Sequence, residues 1–194
     1  MNEIILATRN KGKLREFNHA FKGTGVTFIS LIEMEGAPDV EETGETYCDN
    51  ALIKAKAVSR SYGIPAVGED SGIEIDAMPG ELGVRSARAW GDKPYSEINE
   101  IILDRLKGSD MRSARYVSAI AFVDPASGEE KVVEGRCEGA IHDRREGDGG
   151  FGYDPIFFVP EYGKTMAQLP LDLKNRISHR AKAIEKLKKI LPGF

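Results

Sequence analysis

A chain of 194 residues with 41% hydrophobic and 30% charged residues has the size and composition to bury one real core. Its net charge of −4 excludes generic electrostatic binding to DNA or RNA, which needs a basic face, so no nucleic-acid partner is expected. No apolar stretch reaches the length of a membrane span, no signal peptide is visible, and Cys48 and Cys137 form no CxxC pair; a cytoplasmic protein with two reduced thiols and no membrane or zinc association is expected.

Along the chain, residues 4–7 read as a short buried strand. Residues 11–21 carry Leu14, Phe17 and Phe21 at helical spacing, and 26–31 read as a second strand. This β-α-β order predicts an α/β protein with part of its sheet parallel. An acidic loop at 37–46 follows. Thr46 with Asp49 has the spacing of a capping box, ahead of a helix whose apolar stripe is Cys48, Ala51, Leu52 and Ala55. Residues 65–68 approach a strand end, and the alternation at 73–77 reads as another strand. Glu69-Asp70-Ser71-Gly72 is therefore expected at a turn between buried strands.

Ser96 begins a helix with Ile98, Ile101, Ile102 and Leu106 on one face. Residues 115–123 and 131–141 flank a turn sequence at 124–128, which predicts a long antiparallel hairpin. A glycine-rich loop at 147–152 leads into an apolar strand at 156–159. Ser178 is the expected N-cap of a last helix using Ile184, Leu187 and Leu191 and ended by Pro192. The expected architecture is α/β, with two lobes around a mixed central sheet, one of them the hairpin lobe. A cleft between lobes is a common ligand site.

Four patches carry chemistry. In the first, a strand runs into Thr8-Arg9-Asn10-Lys11-Gly12-Lys13 where a helix begins. Unpaired N–H groups and the helix dipole favour an anion there, Lys13 adds a full charge, and Gly12 permits close approach. The spacing is not that of a Walker loop; a capped helix start with solvated lysines is the plain alternative. The second patch is acidic: Glu41-Glu42 in a loop, and Asp70 at the end of a buried strand. Carboxylates so placed can hold a hard divalent ion and orient a water. In the third, glycines around Phe151-Gly152-Tyr153-Asp154 let an aromatic ring lie against a base while Asp154 accepts from its edge; a turn with core aromatics is the alternative. The fourth is Lys174 with Ser178-His179-Arg180. Arg180 in a first helical turn opposes the dipole, so a compensating partner is expected. His19 and His142 read as incidental surface residues.

Taken in order, these stretches resemble the inosine/xanthosine triphosphate pyrophosphatases over nearly the full chain. The resemblance also takes in Glu41-Glu42-Thr43-Gly44, Asn50-Ala51, Lys54-Ala55, Pro79-Gly80 and Ser86-Ala87-Arg88. It implies residues 1–194 as a single pyrophosphatase domain, a homodimer, and a Mg²⁺-dependent nucleotide-binding cleft between lobes. The implied reaction hydrolyses ITP, dITP or XTP between the α and β phosphates, giving a monophosphate and pyrophosphate. By position, Thr8, Arg9, Asn10, Lys11, Gly12 and Lys13 look like triphosphate contacts. Asp70 looks like the catalytic acceptor and a metal ligand, with Glu41 or its neighbour Glu42 as the second ligand. Ser71 looks like a substrate contact. Phe151, Gly152, Tyr153, Asp154, Lys174, His179 and Arg180 look like the base and sugar-phosphate pocket. Arg9 stands where many relatives carry a small residue.

The physical chemistry agrees: a dense anion on an acidic protein needs local neutralisation by Lys13, helix N–H groups and a divalent cation. A 6-keto base matches buried donors such as Arg180, where adenine presents an amine; such a mismatch discriminates by about 10⁴. Two rival readings are a pyrophosphatase for modified pyrimidine nucleotides and a non-enzymatic nucleotide or RNA sensor built on the stacking loop. The acidic balance and the carboxylate patches weigh against the second.

Overall fold

The structure, a computed structural model, describes residues 2–86 and 88–191. Pro192, the expected helix stop, and Ala87 of the Ser86-Ala87-Arg88 motif lie outside the described residues. Among the described residues the elements in chain order are β1 (Asn2–Leu6), α1 (Lys11–Ala20), β2 (Val26–Ser30), α2 (Tyr47–Tyr62), β3 (Ala66–Ile75), α3 (Tyr95–Arg105), β4 (Ser113–Asp124), β5 (Glu129–Ile141), β6 (Phe157–Val159), β7 (Lys164–Thr165), α4 (Leu171–Ile177) and α5 (His179–Ile190). The strands form one mixed sheet in the order β2-β1-β3-β4-β5-β6-β7. The expected opening unit is present: β1 pairs parallel with both β2 and β3. β4 and β5 are neighbours joined by a short turn, the expected hairpin, and β6 runs antiparallel to β5 and β7.

The chain divides into two compact units, Met1–Ser71 with Ser118–Gly135 and His179–Phe194, and Gly72–Val117 with Arg136–Ser178. In the first unit, Phe17 of α1, Phe21 just beyond it, and Ile184 and Leu187 of α5 pack against Ile4, Leu6, Val67, Ile120 and Phe122 of the strands. Phe28 makes edge contacts with Phe17 and Phe21, with ring centroids 5.2 Å and 5.0 Å apart. In the second unit, Ile98, Ile102 and Leu106 at and just beyond α3 pack with Ile73, Ile75, Tyr116, Ile141, Tyr153 and Phe157.

The structure corrects three expectations. β3 is one continuous strand, so Glu69, Asp70 and Ser71 lie within it rather than at a turn. Gly68, which reads as turn punctuation, instead admits a helix: a Cβ there would lie 2.0 Å from the Ala51 carbonyl oxygen of α2. On α2 the capping box of Thr46 and Asp49 forms as expected, but the buried face is Tyr47, Asn50, Ala51, Ala55, Val58 and Ser59; Cys48 and Leu52 are only half-buried. Helix α4 has no counterpart in the sequence reading. Its seven residues are too few for a clear period, and Ser178 is the single extended residue that separates it from α5.

Candidate active site

Glu69 and Asp70 are adjacent in β3 and both buried, at 3% and 7% exposure. Their side chains point to opposite sides of the strand, as the two-residue pleat requires, and they meet different partners. Glu69 faces α1 and α5. Its Oε1 accepts from Ser118 Oγ of β4 at 2.9 Å and from Arg180 Nε of α5 at 3.1 Å, while Oε2 pairs with the Lys13 ammonium. Burial alone would raise its pKa, but the Arg180 and Lys13 charges outweigh it and hold the carboxyl well below the usual range. Glu69 is thus a fixed anion.

Asp70 faces α2. Asn50 Nδ2 donates to Oδ2 at 3.1 Å and Lys54 Nζ to Oδ1 at 3.3 Å. Lys54 is shared with Glu42, whose Oε1 lies 2.7 Å away. Desolvation is the largest influence on Asp70 and raises its pKa; the Glu42 charge adds to this, and Lys54 with the Asn50 hydrogen bond offset it only in part. Two neighbouring carboxyl groups are therefore pushed in opposite directions. Asn50 is fully buried and its Oδ1 also accepts from Gly44 N–H at 2.7 Å, so one amide orients Asp70 and pins the acidic loop.

A pocket of about 220 Å³ opens beside these groups, lined by Thr8, Arg9, Lys13, Pro38, Asp39, Val40, Glu42, Lys54 and Glu69, with Ala7 and Leu31 at its apolar wall. The start of α1 contributes less free donor capacity than the sequence implies. Asn10 Oδ1 already accepts from the N–H groups of Gly12 and Lys13, at 2.7 and 3.2 Å, and Thr8 Oγ1 accepts from Asn10 N–H at 3.1 Å. Lys11 is exposed. Arg9 is exposed as well; its guanidinium reaches the Ala37 carbonyl at 3.3 Å and Asp39 at 3.6 Å. That contact is cheap to exchange, since an exposed pair contributes about 0–1 kcal/mol.

Of the two adjacent glutamates, Glu42 is the half-buried one that meets Lys54, and Glu41 is exposed. The donor set at this point is Glu42 and Asp70, bridged by an ammonium where a divalent cation could instead sit. No group of three His, Cys, Asp or Glu side chains among the described residues could hold a metal by itself. Mg²⁺ takes one or two carboxylates and completes its shell with water and substrate phosphates, so these two residues fit it. Glu69, saturated by Lys13 and Arg180, does not belong to that set.

The second unit holds the aromatic loop. Phe151 is 65% exposed. Tyr153 is buried, stacks edge-on with Tyr95 and donates its hydroxyl to the Ser86 carbonyl at 2.8 Å, so it is a core aromatic and not a second stacking face. Burial raises the Tyr153 hydroxyl pKa far above its ordinary value. Asp154 does not present a free acceptor. It receives Tyr116 OH at 3.1 Å, Lys174 Nζ at 2.6 Å and Phe151 N–H at 3.2 Å. Gly150, at φ +81°, lets this knot close: a Cβ there would lie 2.0 Å from Asp154 Oδ2 and 2.5 Å from Lys174 Nζ.

Arg180 has the compensating role its helix position demands. It is 5% exposed and gives Nε to Glu69, one terminal nitrogen to Glu16 at 2.9 Å and the other to Ser71 Oγ at 3.5 Å. That commitment removes it as a free reader of a base edge. His179 is the half-buried first residue of α5.

Asn50, Lys54, Ser118, Tyr116 and Asn99 were not assigned site roles from sequence. Two periodicities could have found four of them: Asn50 and Lys54 share one helical face at i, i+4, and Tyr116 and Ser118 share one strand face at i, i+2.

Comparison with known proteins agrees over the whole chain. The sequence model of the Ham1 family matches residues 4–190. A dITP/XTP pyrophosphatase of Geobacillus kaustophilus is 47% identical over 190 residues, spanning 96% of this chain and 93% of that protein. Another dITP/XTP pyrophosphatase, from Symbiobacterium thermophilum, is 46% identical and spans 98% and 95%. The solved structure of the Staphylococcus aureus Ham1 protein superposes with a TM-score of 0.90 at 39% identity, covering 99% of each chain, and a HAM1 protein from Coxiella burnetii superposes with a TM-score of 0.90 at 37% identity, covering 98% of each. Sequence and fold agree from end to end: this chain belongs to the Ham1 family.

Proposed function

We propose that this protein hydrolyses non-standard purine nucleoside triphosphates, ITP, dITP and XTP, between the α and β phosphates, releasing the monophosphate and pyrophosphate. The observation that carries the reading is Asp70: a buried carboxylate, raised in pKa by desolvation, whose partner Lys54 lines a pocket together with Lys13 and Arg9. The activity named for the relatives supports the substrate class.

In this reading the pocket residues hold the triphosphate. Arg9 exchanges Asp39 for phosphate at little cost, while Lys13 stays anchored to Glu69. Asn50 and Lys54 hold the Asp70 carboxylate in one orientation, so that an Oδ accepts the proton of a water attacking the α-phosphorus. Glu42 and Asp70 would hold Mg²⁺, which would there supply neutralisation of phosphate charge. Phe151 offers the face on which the base stacks, a contact of about 1–3 kcal/mol. Residues 1–194 act as one pyrophosphatase domain, and the family resemblance supports a homodimer. Cys48 and Cys137 are not joined in a disulfide, which is in keeping with a reducing cytoplasmic setting.

The test is pyrophosphate release from ITP, XTP, ATP and GTP, with and without Mg²⁺, with the products identified. Selective cleavage of ITP and XTP to monophosphate and pyrophosphate is expected. ATP cleaved as well as ITP would sink the base-selective reading, and orthophosphate as the first product would sink the proposed bond position.

A further inference from the structure

Exposed aromatic rings on glycine-rich loops are ordinarily mobile, but the backbone around Phe151 is tied to buried side chains at two points. The Phe151 N–H donates to the Asp154 carboxylate, and the carbonyl one residue further on, that of Gly152, accepts from Asn99 Nδ2 at 3.1 Å. Asn99 is 1% exposed and lies on α3, beside the core residues Ile98 and Ile102. Its Oδ1 is buried with no hydrogen-bond partner among the described residues. A leucine, with the same branching at Cγ, would avoid that unsatisfied oxygen, whose burial costs about 1–3 kcal/mol. What the asparagine supplies in return is the single hydrogen bond to Gly152.

Tyr95, one turn earlier on the same face of α3, completes the support. A Cβ on Gly152 would come within 3.7 Å of its ring, and Tyr95 also packs edge-on against Tyr153. Gly152 itself sits at φ +67°, where a side chain would be strained. The loop is thus fixed from the helix side, and the ring is the part left in solvent.

We infer that Asn99 is the positioning residue of the base-recognition loop, holding the Gly152 carbonyl so that the Phe151 ring is pre-set for a purine. This rests on the proposed stacking of the base on Phe151. Pre-organisation of this kind lowers the ordering cost of binding rather than adding a contact, so its effect belongs in KM and not in kcat.

The test compares Asn99→Ala, Asn99→Asp, Phe151→Ala and the Asn99→Ala/Phe151→Ala pair. Steady-state kinetics are measured with ITP, together with inhibition by inorganic tripolyphosphate, which carries the phosphates without a base. Asn99→Ala is expected to raise the KM for ITP roughly five- to tenfold, the loss of one buried hydrogen bond, with kcat and tripolyphosphate inhibition unchanged. Asn99→Asp keeps the shape but turns an acceptor on the carbonyl; it should do the same or worse, and it carries the test if the alanine variant fails to fold. On the Phe151→Ala background the Asn99 change should add nothing, because the two act through one ring. A raised KM in Phe151→Ala but not in either Asn99 variant overturns the inference and leaves the stacking reading standing. Equal weakening of tripolyphosphate and ITP overturns it as well, since that marks general damage. An unchanged KM in Phe151→Ala removes the stacking reading itself, and the role of Asn99 with it.

Discussion

Glu69 and Asp154 are both buried carboxylates that accept a hydroxyl from β4, Ser118 for the first and Tyr116, two residues earlier, for the second. They differ in what else they hold. Glu69 meets two cations, Lys13 from α1 and Arg180 from α5, and so fastens side chains of separate elements to one point. Asp154 meets one cation, Lys174, and a peptide N–H, and so fastens the backbone of its own loop. The first arrangement fixes charge beside Asp70; the second fixes the conformation of the segment that carries Phe151. Their sensitivity to loss differs for a physical reason. Removing the Glu69 charge leaves an almost wholly buried arginine with the half-exposed Glu16 as its remaining carboxylate, whereas the Lys174 side chain keeps 16% of its surface exposed and can extend its ammonium to water.

The comparison can be tested in order of effect. The largest lies just beside it: Asp70→Asn should keep the fold and lose about a thousandfold or more in turnover, roughly 4 kcal/mol of barrier. Near-normal kcat in that variant would take Asp70 out of the mechanism. Next, Glu69→Gln should cost about 3–5 kcal/mol of stability, because it breaks a buried ion network from one side, read by urea unfolding. Asp154→Asn should cost less, about 1–3 kcal/mol; the reverse order would break the contrast drawn here.

Tyr116 sharpens the contrast through pH. Burial is the main cause that pushes its hydroxyl well above the ordinary value of 10.0, and the Asp154 charge adds to it. In the unfolded chain the phenol ionises near that ordinary value while in the folded chain it stays protonated. Its share of stability is therefore complete below pH 10.0 and falls as pH rises from there toward the folded value. Tyr116→Phe should remove this part of the alkaline loss, as followed by thermal unfolding at pH 9 and at pH 11; an unchanged alkaline slope would refute it. The smallest effect belongs to Arg9→Ala. Its pair with Asp39 is exposed, so stability should shift by about 0.5 kcal/mol or less, while the KM for ITP rises. A KM equal to wild type would leave Arg9 outside the phosphate site.

The sequence carried the opening β-α-β unit, the hairpin and the capping box of α2, because each depends on near neighbours: apolar period, turn residues, and a Thr–Asp pair three residues apart. It also carried the motifs that place the chain in its family, and with them Asp70 as a candidate, since an acid flanked by two apolar stretches is conspicuous in one dimension. It misplaced the surroundings of that acid. Gly68 and Gly72 bracket Glu69 and Asp70 like turn punctuation, and only the approach of α2 to within contact of residue 68 shows that a glycine there makes room for a helix in a straight strand.

What tertiary structure alone decided is the division of roles among the charged groups. Local sequence does not say that Arg180 finds Glu69 across 111 residues, that Lys54 rather than Lys13 serves Asp70, or that Glu42 and not Glu41 turns inward. Those outcomes follow from desolvation: a charge buried by folding has to meet its counter-ion wherever the sheet brings one. A linear chain fixes which groups are available and which faces are apolar. Which carboxylate stays ionised, and which is raised toward a proton, is set only when distant segments remove water from both.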